Sequence, residues 1–157
     1  MTKQVLNCTL SGWSIETAPI FLYEERLKLL TKQTKDAENF AIAAAKLAKT
    51  LNCKQITVQD LVGKSPATDY FVIATGTSNR QIRTVCDEIS ALAREMGFPR
   101  FGKAGYEQAK WILMDFVDVV VHIFDNEYRD YYDLELLWGD AEKLNWERED
   151  SADEANN

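Results

Sequence analysis

Gly76, Thr77 and Ser78 follow the apolar run Tyr70 to Ala74 and precede the polar, helix-compatible run Asn79 to Arg83. The first amides of a helix have no partner within it, and with the helix dipole they form a cradle for a carboxylate or phosphate. Nucleotidyl transfer would suit such a turn, but it needs two or three carboxylates on neighbouring strands to hold divalent metal against a triphosphate. The nearest are Asp115 and Asp118, so a nucleotide-dependent transferase using the Gly76–Ser78 turn with those two acids is the enzymatic alternative. Against it, Asp118 falls in the turn of a hairpin, and the strand that follows offers Val120, His122 and Phe124 instead of acids. His122 is the sole histidine and sits in an apolar run, with no GxSxG elbow elsewhere to complete a nucleophile triad. Walker and GxGxxG patterns are absent, and Gly102 with Gly105 does not supply one. The expectation is a non-enzyme with no catalytic residue, metal or cofactor.

The elements that position these groups follow from periodicity. Ser78 with Gln81 spells a capping box, and Gly76 is expected at positive φ in a sharp turn. Ile82, Val85, Ile89, Leu92 and Met96 then form one stripe of a cover helix that Gly97 and Pro99 stop. Upstream, Phe40, Ala44, Leu47 and Leu51 recur at helical spacing over Lys35 to Leu51, and Ile20 to Leu30 reads as a short amphipathic helix. Gln55 to Asp60 alternates as a half-exposed edge strand. Trp111 to Phe116 and Val119 to Phe124 form a hairpin turning at Val117 and Asp118, with bulky side chains on both faces. A final helix with Asp125 as N-cap runs to Gly139, with Tyr128, Tyr131 or Tyr132, Leu134, Leu137 and Trp138 as packing residues. This order predicts a single α/β layered domain, a mixed sheet flanked by helices.

Composition sets the class. A chain of 157 residues with 46% apolar content suits one domain with a real core. Cys8, Cys53 and Cys86 are widely spaced and odd in number, which disfavours a disulfide framework or zinc knuckle and fits a reducing, cytoplasmic setting. No apolar run reaches the roughly 18 residues of a spanning helix. Residues 1–124 carry 15 basic and 13 acidic side chains, whereas 125–157 carry 3 and 12. That acidic third excludes a sequence-specific nucleic-acid footprint and suits a basic protein partner.

Three blocks, TDYFVIATGTSNRQIR, GxxGYExxxWILMDFxDVVVHIF and YYDLELLWGDA, resemble the ribosomal silencing factor family, also called RsfS, Iojap-related or DUF143. The resemblance spans about residues 35 to 142 and implies a nucleotidyltransferase-like fold without catalytic acids. It further implies binding to the large ribosomal subunit through universal large-subunit protein fourteen, blocking small-subunit joining and repressing translation when nutrients run short. Homodimers off the ribosome are implied as well. Residues 1–33 are then an extension of unknown role, 34–142 the family domain, and 143–157 an acidic, largely disordered tail. Tyr106, Trp111, Asp115 and His122 are the expected protein-binding anchors. Asp69, Tyr70, Gly76, Ser78, Gln81, Tyr132 and Trp138 are the expected structural signature. One departure concerns Val117, where the family has glycine; a β-branched residue resists positive φ, so a different turn geometry is expected.

Overall fold

The computed structural model of the chain describes residues 18–147, with side chains from residue 24 onward. Cys8 and the end of the expected tail lie outside the described residues. The chain divides into two compact units, 1–33 and 34–157. In the first, the described part belongs to helix α1 and exposes Leu27, Leu29 and Leu30, with Lys28 paired to Glu25 at 3.4 Å. Helix α1 itself runs Ala18–Thr50 without interruption, so the two helices expected over Ile20–Leu30 and Lys35–Leu51 are one. The intervening TKQT contains neither glycine nor proline to break it.

The second unit continues through β1 (Lys54–Asp60), β2 (Tyr70–Thr75), α2 (Asn79–Glu95), β3 (Gly102–Ala104), β4 (Trp111–Asp115), β5 (Val119–Phe124), α3 (Asn126–Tyr132), α4 (Leu134–Leu137) and β6 (Glu142–Lys143). The strands form one mixed sheet in the order β3-β4-β5-β2-β1-β6. β2 and β5 pair in parallel and every other neighbour is antiparallel. The α/β layered expectation holds, with three refinements. β3 and β6 add edges that the sequence did not announce, and β6 covers the Gln59–Asp60 end of β1, so β1 is an edge only over its first part. The last helix breaks at Asp133, whose φ of 38° is left-handed, leaving Tyr131 and Leu137 exposed where packing was expected. The domain also continues past residue 142: Leu144 and Trp146 pack on the core, Leu144 N–H donates to Val58 O, and Lys49 pairs with Glu147 at 2.7 Å.

One face of the sheet is covered by α1 and α2. Ala37, Phe40, Ala41, Ala44, Ala45 and Ala48 bring α1 close because alanine keeps the helix surface thin, and Ile82, Val85, Cys86, Ile89 and Ala93 do the same for α2. Leu92 is half-buried and Met96 exposed, so the α2 stripe turns toward Cys86 and Ala93. The helix ends in a Schellman motif: Gly97, at φ 80°, donates to Arg94 O, and Phe98 donates to Ala93 O before stacking on Phe40 at 4.7 Å. The opposite face carries Thr57 and Gln59; Phe71, Ile73 and Thr75; Val120, His122 and Phe124; and Trp111, Leu113 and Asp115, as the strand registers require. α3 and α4 cover only part of it. Ile73, Thr75, His122 and Phe124 are buried, while Phe71, Trp111, Leu113, Asp115 and Val120 stay half-buried.

Candidate functional site

The glycine turn is used from within. Ser78 caps α2, its Oγ accepting from Gln81 N–H at 3.2 Å. Gln81 Oε1 in turn accepts from Thr77 N–H at 2.7 Å and from its hydroxyl at 3.0 Å, and Gln81 Nε2 donates to Leu51 O. An amide that would have faced an anion is thus taken by the protein's own side chain. Gly76 does not occupy the left-handed region expected of it. It is glycine because a Cβ there would lie 2.4 Å from Ile82 Cγ1.

Sheet register separates the groups of the transferase alternative. Tyr70 pairs with Val119 and Thr75 with Phe124, while Trp111 lies opposite Phe124 and Asp115 opposite Val120. Asp115 and Asp118 therefore sit where β2 begins and Ser78 follows its end, roughly 17 Å away at about 3.3 Å per residue. Asp115 is occupied too, its Oδ1 accepting from Val117 N–H at 2.8 Å. That bond steadies a turn in which Val117 has φ 72°. Valine here adopts the left-handed geometry that its β-branch was expected to resist, and Asp115 helps to hold it. Among the described residues, no group of three or more His, Cys, Asp or Glu side chains is placed to hold a metal ion.

Asp69 and Tyr70 begin the signature strand and tie it to the hairpin. The carbonyl of Asp118 accepts from Thr68 Oγ1 at 2.9 Å, Asp69 N–H at 2.9 Å and Tyr70 N–H at 3.0 Å. Burial, reinforced by Asp118 and Asp60, pushes the Asp69 carboxyl pKa up.

The four expected anchors do not share one surface. Trp111 and Asp115 lie on the open face. His122 lies behind them, 3% exposed, accepting at Nδ1 from Trp111 Nε1–H at 3.2 Å and packed edge-on to Phe71 at 4.9 Å. Its Nε2 has no hydrogen-bond partner, and burial followed by the nearby Arg129 charge brings its pKa down to about 4. Tyr106 turns to the helix side: its hydroxyl donates to Asp87 on α2 at 2.7 Å, and Lys103 stands 3.8 Å over its ring. Gly105, at φ 80°, makes that turn, since a Cβ would meet the Trp111 carbonyl. Periodicity missed the residues that complete the open face, Phe71, Leu113 and Val120; the alternation of β2, β4 and β5 would have found them once the strand order was known.

Tyr132 and Trp138 border this face. Tyr132 packs on Trp111 at 4.9 Å while remaining 47% exposed, and Trp138 O accepts from Gln59 Nε2 at 3.4 Å. Between them a buried arginine fixes the α3–α4 break: Arg129 pairs bidentately with Glu135 and donates to Thr75 Oγ1 at 3.2 Å and Gln55 O at 2.9 Å.

The half-buried face thus joins Phe71, Trp111, Leu113 and Val120 with the Asp115 carboxylate, and the exposed Tyr132 stands at its border. The sequence pattern of the RsfS family, described as ribosomal silencing factor during starvation, matches residues 34–157. The chain belongs to the RsfS family. Ribosomal silencing factor RsfS of Halalkalibacterium halodurans is 42% identical over 56% of this chain and 75% of its own length. RsfS of Bacillus subtilis is 40% identical over 62% and 83%, and chloroplastic Iojap of maize 39% identical over 68% of this chain and 47% of that protein. A crystal structure of a Chromobacterium violaceum protein superposes with TM-score 0.61 at 33% identity, covering 67% of this chain and 85% of that one. A Bacillus halodurans structure gives 0.58 at 33%, covering 70% and 97%. These structures agree with the mixed-sheet α/β architecture. Helix α1 begins ahead of the family match, at Ala18.

Proposed function

We propose that this RsfS-family chain binds the large ribosomal subunit through universal large-subunit protein fourteen, blocks joining of the small subunit and so represses translation under nutrient limitation. The observation that carries the reading is the sheet face around Trp111, Leu113 and Asp115, which α3 and α4 leave half open. An anti-association factor needs such a face and enough bulk to clash with an incoming subunit; it needs no chemistry. The names of the relatives, ribosomal silencing factors among them, support a ribosomal partner. Excess negative charge over residues 125–157 favours the encounter with a basic ribosomal protein. His122 contributes from beneath by orienting Trp111, and Tyr106 by holding the loop ahead of β4 to α2. We place the chain in the cytoplasm, where the same open face is available to a second copy when ribosomes are absent.

The test is co-sedimentation of tagged protein through a sucrose gradient with separated subunits and with joined ribosomes. The tagged chain should migrate with large subunits alone and reduce subunit joining when added beforehand. Trp111→Ala with Leu113→Ser should abolish both effects while the variant remains folded. These positions suit the test better than Asp115, which also holds the Val117 turn. Undiminished co-sedimentation by that folded variant would remove the sheet face from the proposal.

A further inference from the structure

We infer that α3 and α4 form a second docking element, an apolar ledge with an acidic rim that seats on a basic protein surface and not on RNA. It rests on the large-subunit reading and deepens it, adding Tyr131, Leu136 and Leu137 and giving the acids beside them a place on that surface. Tyr131, Leu136 and Leu137 are 80%, 76% and 70% exposed, a concentration of large apolar surface within seven residues. Isolated exposed leucines are ordinary, whereas a contiguous apolar patch with a polar rim marks an interaction site.

The ledge is held in place. Asp133, in the left-handed region, breaks the helix between Tyr132 and Leu134, and the Arg129–Glu135 pair anchors both sides of the break to Thr75 and Gln55. It is also continuous with the open sheet face, because Tyr131 meets Tyr132 edge-on at 5.0 Å and Tyr132 packs on Trp111 at 4.9 Å.

The rim identifies the occupant. Glu127, Asp130 and Asp133 are exposed carboxylates around the apolar residues. Of the basic residues between 125 and 147, Arg129 is buried in its pair, and the exposed Lys143 lines the cleft it shares with Asp130, Asp133 and Glu135, so the carboxylates remain in excess there. A phosphate backbone would be repelled there, since binding it depends on clustered Lys and Arg. A protein surface with lysines or arginines around an aliphatic patch complements both the charge and the apolar centre.

The experiment uses the full chain with purified large subunits and reads affinity, association rate and salt dependence. Three variants are compared with wild type: Leu136→Ser with Leu137→Ser; Glu127→Gln with Asp130→Asn and Asp133→Asn; and Trp111→Ala. The leucine pair should weaken binding about tenfold or more with an unchanged melting temperature, and the neutralised rim should slow association and flatten its salt dependence. Loss of binding by Trp111→Ala with the leucine variant within twofold of wild type would overturn the ledge and leave the sheet-face reading standing. The reverse pattern would uphold the ledge and remove the sheet face. Faster or tighter binding by the neutralised rim would overturn the basic partner in favour of RNA. Conversion of a dimer to a monomer by the leucine variant, with subunit binding intact, would assign the ledge to a second copy. Failure of wild type to bind large subunits would overturn both proposals.

Discussion

Trp111 donates its indole N–H to His122 Nδ1 across 3.2 Å, from the half-open surface of β4 to the buried centre of β5. This diagonal bond requires a neutral imidazole, and burial beside Arg129 holds the His122 pKa down at about 4 against an ordinary 6.5. An unfolded chain takes up that proton near pH 6.5 and the folded one does not. The contribution to stability is therefore full above 6.5 and lost as pH falls toward 4, a change on the order of 3 kcal/mol. Denaturant melts of wild type and His122→Phe between pH 7 and 4 should converge as the pH drops. Parallel curves would show that His122 is not the titrating group.

Val117 occupies φ 72°, a region costly for a β-branched side chain. Val117→Gly should stabilise the domain by about 1 kcal/mol, raising the melting temperature by a few degrees. Asp115→Ala, which removes the acceptor of Val117 N–H, should lower it by a similar amount.

Gly76→Ala brings a methyl group against Ile82, and overpacking of this kind costs about 1–3 kcal/mol. Adding Ile82→Ala opens the space the new methyl needs, so the double variant should lose less than the sum of the two single ones. Additive losses in a double-mutant cycle would place the strain elsewhere.

Arg129→Met leaves Glu135 without its partner in a buried setting and should cost about 3 kcal/mol. Changing both residues, Arg129→Met with Glu135→Leu, should recover most of that loss in chemical denaturation. No recovery would mean that the bonds to Thr75 and Gln55, and not the ion pair, hold the α3–α4 break.

The sequence revealed those elements whose period outlasts noise. β2, β4, β5 and α2 were legible because apolar alternation, a Ser-Gln cap and a glycine stop agree within each segment. β3 and β6 span three and two residues, too few to show a period. The break at Asp133 is silent because aspartate is unremarkable inside a helix until its backbone turns left-handed. Trp111 and Asp115 were legible as members of one strand face. Tyr106 was not separable from them by sequence, since the chain reverses at Gly105, nor was the burial of His122, which depends on Phe71 from a strand far away in sequence.

The two outermost strands, β3 and β6, are short enough that neither offers a template on which a further chain can pair. A chain shortened after Ala141 would lose β6 and the anchoring of Leu144 and Trp146, baring the whole of β1 from Lys54 to Asp60. The short β6 thus works as a stop on an edge that is already open over the first part of β1: it closes the Gln59–Asp60 end, where a longer free edge would be a template for pairing with another chain.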